Sequence, residues 1–251
     1  MKKLLLSFGL LAFAGNIFAQ SADEIIDKYV KAIGGKEKYK TVTSMRTSGT
    51  AKGMGMDIKT VSTETSTNCH RSETTIMGMT SIQAYDGKTK TGWYVQPFSG
   101  DKSAHKMNED QTKGYDENPH IEPLLMIYKD LGASADYLGK EDFEGVDVHL
   151  IMITMPSKTI TYYYIDAETF LILKEKTKQK FQDKEVEGET YYSDYRVENG
   201  IMMAHTTEGY NDGKVAWQFV LDKVEFNVPA DETLFVMPKE DTPKDDKKEG
   251  K

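Results

Sequence analysis

Cys69 is the only cysteine in the chain. An internal disulfide is therefore excluded, and the fold has to stand on core burial. Positive charge is also in short supply: 32 Lys and Arg against 40 Asp and Glu leave a net charge of -8. Nucleic-acid binding depends on clustered basic side chains that neutralise phosphates, so it is excluded as a partner class. The same deficit disfavours docking on anionic lipid headgroups. Legible catalytic signatures are missing too. No HExxH, P-loop, GxSxG or Gly-rich dinucleotide fingerprint occurs, and His70, His105, His120, His149 and His205 stand at no metal-ligand spacing. The acidic residues fall mainly in turns and on the solvent side of strands. The chain reads as a non-enzyme with no cofactor.

What is present begins with an address. Lys2-Lys3 precede an apolar run from Leu4 to Ala14, and small residues follow up to Ala19-Gln20. This is the build of a cleavable secretory signal peptide over residues 1–19. The run is too short to cross a bilayer, which takes about 20 residues. No cysteine lies near the cleavage point, so the protein is not itself a lipoprotein, and a periplasmic location is expected. Cleavage removes Lys2 and Lys3 and no acid, which moves the net charge from -8 to -10. Residues 20–238 are expected to form a single domain. Residues 239–251, almost wholly Lys, Asp, Glu, Pro and Gly, cannot bury anything and are expected to be a disordered tail.

Ser21 and Glu24 stand at capping-box spacing, and Ile25, Ile26, Tyr29, Val30 and Ile33 recur at helical spacing up to Gly34-Gly35. The pattern predicts an amphipathic helix over about 22–33. After it the period drops from 3.6 to 2. Asp86-Gly87, Asn199-Gly200 and Asp212-Gly213 are hairpin turn pairs. Val148–Met155, Thr159–Ile165, Phe170–Lys174, Glu189–Arg196 and Val215–Val228 are rich in β-branched and aromatic residues. Ten or eleven strands joined by tight turns predict an antiparallel meander. Between Pro97 and Pro119 the sequence is polar and reads as a loop. A second helix over about 119–131 follows from Pro119, the apolar face of Ile121, Leu124, Leu125, Tyr128 and Leu131, and Gly132 at its end.

Twelve methionines remain after Met1, four of them in two Met-Gly-Met triplets, Met54-Gly55-Met56 and Met77-Gly78-Met79. On a strand each triplet would turn two thioethers to one side, with Ile58 continuing the first alternation. Three readings stand open: core packing, an adaptable apolar cavity, or a Cu(I) site with Cys69 or His70 nearby. Trp217, Phe219 and Leu221 share one face, which in a partly closed sheet can be both core and cavity wall.

The order of these pieces resembles the LolA-like superfamily of outer-membrane lipoprotein-sorting proteins. The likeness runs from about Ser21 to Pro238. It rests on the opening helix ending Ala32-Ile33-Gly34-Gly35 and on Tyr85-Asp86-Gly87 before Gly92-Trp93-Tyr94. It continues through Tyr164-Ile165-Asp166 with Thr169, Ser193-Asp194-Tyr195-Arg196 with Asn199-Gly200-Ile201, and Asn227-Val228-Pro229 with Leu234-Phe235. The resemblance implies a mainly β fold: a strongly curved antiparallel sheet forming a half-open barrel, with the two helices over its opening. It implies a monomeric carrier that shields a lipid or the acyl chain of a lipoprotein, served by membrane donor and acceptor proteins. Leu124, Leu125 and Tyr128 would then touch cargo from the lid, and Met54, Met56, Ile58, Met77, Met79, Trp217 and Phe219 would line the cavity. The family's cargo is usually held with help from a basic residue on the concave face, and Arg46 or Arg71 would supply it. A non-enzymatic envelope interaction module is the reading with a filled core.

Overall fold

A computed structural model describes residues 21–239 except Met54, residues 118–120, residues 182–183 and Asp212. The expected signal peptide, the tail from residue 240 onward and the Asn118-Pro119 helix start lie outside the described residues. Helix α1 (Ala22–Ala32) begins where the Ser21 side chain accepts the Glu24 backbone N–H at 3.2 Å, and it buries Ile25, Ile26, Tyr29 and Val30. Its end turns through Gly34 at φ +118° and Gly35 at φ +84°, and a short helix α2 (Lys36–Tyr39) follows.

The strands then come in two runs. The first holds β1 (Ser44–Gly53), β2 (Met56–Thr65), β3 (His70–Ile76), β4 (Met79–Asp86), β5 (Thr91–Val95) and the short β6 (His105–Lys106). The second holds β7 (Ser134–Phe143), β8 (Val146–Thr154), β9 (Ile160–Asp166), β10 (Ile172–Phe181), β11 (Lys184–Glu198), β12 (Ile201–Asn211) and β13 (Lys214–Phe226). All belong to one antiparallel thirteen-stranded sheet in the order β6-β5-β4-β3-β2-β1-β13-β12-β11-β10-β9-β8-β7. Among the described strands, the only neighbours distant in sequence are β1 and β13, which join the two runs with Met45 opposite Phe226. Among the described residues no pairing links β6 to β7, so the sheet is a curved half-barrel with an opening.

The segment between those two edges differs from expectation. Residues 109–117, read from sequence as part of a loop, form α3 (Glu109–Glu117). Asn108 and Gln111 each accept the other's backbone N–H at 2.9 Å, a reciprocal cap that starts a helix of low apolar content. The helix expected over 119–131 is reduced to α4 (Leu124–Ile127) with turns after it. Pro123 sits before it with ψ 142°, and proline also pushes the residue preceding it out of helical space.

Two strands run further than their apolar residues imply. β10 and β11 continue as a ladder of ion pairs, Lys174–Glu189 at 2.9 Å and Lys176–Glu187 and Lys178–Glu187 at 2.8 Å. Cross-strand charge pairs carry pairing where apolar alternation has stopped.

The main core lies on the concave face. Ile151, Ile153 and Ile165 of β8 and β9 are fully buried against Ile25 and Ile26 of α1 and Leu125 and Met126 of α4. The convex face of β3–β5 carries a second, smaller packing site. There the Trp93 indole N–H donates to the Phe235 carbonyl at 2.8 Å, and the C-terminal segment straps the sheet.

Candidate functional site

A cavity of about 510 Å³ opens between the concave face and the helical segments. That is within the range of roughly 300–1,000 Å³ common to small-molecule sites. Its roof is the end of α1 (Tyr29, Ile33) and the segment Ile121–Leu125. One wall is apolar, built from Met155, Ile172, Ile201, Met202 and Phe226. Ile33 is fixed there because its carbonyl accepts the Met202 N–H at 3.0 Å. The close approach requires Gly34, where a Cβ would lie 2.5 Å from the Gly200 carbonyl oxygen.

The other wall is polar and comes from alternation along β10. Starting at buried Ile172, the strand turns Glu175, Thr177 and Gln179 toward the cavity, and Gln179 is already exposed. Polar groups therefore line the route from the deep end outward. Thr161 and Tyr163 of β9 lie opposite Thr177 and Glu175, and the two threonine hydroxyls are 3.2 Å apart. Glu175 retains some accessible surface because the void it faces admits a water-sized sphere. It is nonetheless enclosed by protein, and burial pushes its carboxyl up to about 7 against the pull of a hydrogen bond from the Tyr192 hydroxyl. The tyrosines around it, Tyr29, Tyr163, Tyr192 and Tyr195, are all held above the usual phenol range by burial, so they stay neutral donors. Tyr39 at the α2 end is pushed up to about 12 for the same reason.

Among the described residues lining this cavity there is no Lys, Arg or His. The basic residues expected to help hold cargo sit elsewhere. Arg71 lies over Trp93 on the convex face, paired to Glu73 at 2.7 Å and donating to the Leu234 carbonyl. Arg46 is exposed on the face opposite Met45, across from Glu225. Strand alternation sends both away from the concave side.

Of the residues expected to bind ligand, Leu124 and Leu125 line the cavity. Tyr128 is buried just beyond it, its hydroxyl donating to Asp23 of α1. The methionines are placed differently. Gly53 pairs with Met56 and Ile76 with Met79, so Gly55 lies in the turn between β1 and β2, and Met77-Gly78 is the two-residue tip of the β3–β4 hairpin. Met77 is 88% exposed at φ +51°, followed by Gly78 at φ +80°. The i, i+2 rule for a continuous strand does not apply through a turn, and Met54 is outside the described residues. Met56 and Met79 are exposed beside those tips, and Ile58 is half-buried opposite Ala51. None of the four described residues lines the cavity. Phe219 and Trp217 cover glycines on neighbouring strands: a Cβ on Gly49 would lie 2.4 Å from the Phe219 ring, and one on Gly209 would lie 2.1 Å from Trp217. The rings fill a gap in the sheet surface, and Trp217 remains 43% exposed.

The residues that sequence reasoning missed are Glu175, Tyr192, Tyr195, Met202 and Met203. Glu175 lies in Lys174-Glu175-Lys176, which reads as solvated on both faces. Its signal was parity with Ile172 through the β-bulge between Ile172 and Lys174, which only the register reveals.

No protein-family model matches the chain, and no curated protein matches it in sequence. Solved structures do match. A DUF1329 family protein from Desulfovibrio piger superposes with a TM-score of 0.58 at 11% identity, covering 87% of this chain and 98% of that one. A LolA superfamily protein from Nitrosomonas europaea gives 0.57 at 9% identity, over 87% and 98%. A domain titled for outer membrane lipoprotein sorting, from Vibrio parahaemolyticus, gives 0.54 at 13% identity, over 85% and 95%. The chain has the LolA-like fold.

Proposed function

We propose that this protein is a non-enzymatic carrier that takes one apolar chain, from a lipid or an acylated lipoprotein, into the half-barrel cavity. The observation that carries the reading is the cavity itself, roofed by α1 and Ile121–Leu125 and walled by Ile172, Ile201, Met202 and Phe226. A chain laid along that wall gains about 0.8 kcal/mol per buried CH₂. The fold it shares with the lipoprotein-sorting domain supports the same reading. So does the signal-peptide pattern of residues 1–19, which would deliver a monomeric carrier to the periplasm, between membrane donor and acceptor proteins.

Native mass spectrometry of the mature protein from its own envelope, followed by lipid extraction, tests this. A co-purifying lipid or acylated peptide is expected, with fluorescent acyl probes binding near one per chain. Leu124→Asp should abolish probe uptake while the circular-dichroism spectrum stays native. Met56→Asp, at a hairpin tip outside the cavity, should leave uptake unchanged. An apo mass that persists after incubation with lipids would sink the carrier reading.

A further inference from the structure

Among the described residues, the cavity's roof and β12 side are mostly apolar, and the charge in its lining is of one sign. Glu175 projects from the middle of the β10 wall and Glu122 stands on the roof segment. No basic side chain faces either from the described lining. Glu175 is ringed by hydroxyls: Tyr192 donates to it, Tyr163 is its cross-strand neighbour, and Thr161 and Thr177 lie one step outward. A carboxylate or phosphate head drawn in with its chain would lose its hydration and gain no counter-charge. An ammonium head would meet a carboxylate together with several hydroxyl acceptors, which is the partner set a desolvated cation needs.

We infer that the chain this cavity accepts belongs to an amphiphile with a protonated amine head, seated against Glu175 with its alkyl chain along Ile172, Ile201 and Phe226. The inference rests on the carrier reading and narrows it to a single-chain amine lipid. A volume of about 510 Å³ suits one chain better than two. The tyrosine hydroxyls hold their protons across the working range, so each can turn an oxygen lone pair to the ammonium while Tyr192 keeps Glu175 oriented.

The test compares dodecylamine, dodecanol and dodecanoate, three probes of one chain length, on the full mature protein near neutral pH and below micelle formation. Displacement of a neutral fluorescent alkyl probe reports each affinity. Dodecylamine should bind at least about tenfold more tightly than dodecanoate, with dodecanol between them. Glu175→Gln, which keeps volume and hydrogen bonding, should erase the advantage of the amine over the alcohol and leave alcohol binding intact. Glu122→Gln should preserve that advantage. Equal or better binding of dodecanoate, or an amine preference that survives Glu175→Gln, overturns the inference while dodecanol uptake upholds the carrier. Failure of all three probes to bind overturns both.

Discussion

Glu175 is the residue at which the sequence's local chemistry and its surroundings disagree most. Its carboxyl is raised from an ordinary 4.5 to about 7 by burial. The unfolded chain therefore releases this proton at lower pH than the folded one, and folding stability falls as pH rises between those two values. The full difference corresponds to about 3 kcal/mol, an upper bound because the cavity admits water. The other titratable groups facing it are Tyr29, Tyr163, Tyr192 and Tyr195, whose raised values keep them out of this window. Urea unfolding at several pH values should show wild-type stability declining from pH 5 to pH 8. Glu175→Gln should flatten that decline and be the more stable protein at the upper end. Parallel curves for the two proteins would mean that the carboxyl is not buried in solution.

At the scale of elements, the seam between α1 and the β11–β12 turn holds the roof in place. Gly34 cannot be replaced cheaply, since it combines φ +118° with a backbone oxygen 2.5 Å from where a Cβ would stand. Gly35, at φ +84°, has nothing within 4 Å of that point. Gly34→Ala should therefore cost about 2–4 kcal/mol, and Gly35→Ala only about 1–2 kcal/mol. Thermal unfolding of the pair separates steric approach from backbone strain, and equal losses would remove the close-approach argument. The other end of the roof is latched through Asp23, which accepts from the Tyr128 hydroxyl and pairs with Lys129 at 2.8 Å. Lys129 is mostly exposed, so Asp23→Asn should change global stability by less than about 1 kcal/mol. Its expected effect is local: faster hydrogen exchange of the amides from residue 124 to residue 132. Unchanged exchange there would show that packing of Leu125 and Met126 alone holds the lid.

At the scale of the molecule, thirteen strands leave two edges unpaired, β6 and β7. The chain bridges the gap with the segment that carries α3 and α4. The edge strand β7 holds Asp136, Lys140, Glu141 and Asp142, and charged side chains of this kind discourage pairing with another sheet. The opening is thus kept by charge and by a helical cover, and the cavity lies beneath that cover beside the packed core.

Helix α1 was legible because its apolar residues recur at 3.6 and Ser21 caps it, and both signals are local. The hairpin at Asn199-Gly200 was legible because few residues tolerate positive φ, and the two sit at +51° and +83°. At Asp86-Gly87 the positive φ falls on Lys90 instead, and Gly87 is needed because a Cβ there would lie 2.5 Å from the Thr67 and Asn68 carbonyl oxygens. Class and antiparallel order were therefore within the reach of periodicity and turn residues, while the half-barrel was what the resemblance implied. The methionine triplets misled because Met-Gly at a tip and Met-Gly-Met in a strand have the same letters, and only the pairing of Gly53 with Met56 tells them apart. α3 was hidden by its polarity, although Asn108 and Gln111 carried its cap. The site itself was out of reach. In Lys174-Glu175-Lys176-Thr177 both faces are polar, so periodicity cannot say which one turns inward. That is decided by a register set across five strands and by a bulge after Ile172. The chain alone determined an amphipathic opening helix followed by an antiparallel meander, through local periodicity and turn residues. Tertiary structure decided that the described lining of the cavity carries carboxylates and no cation, because which face is concave depends on contacts between residues far apart in sequence.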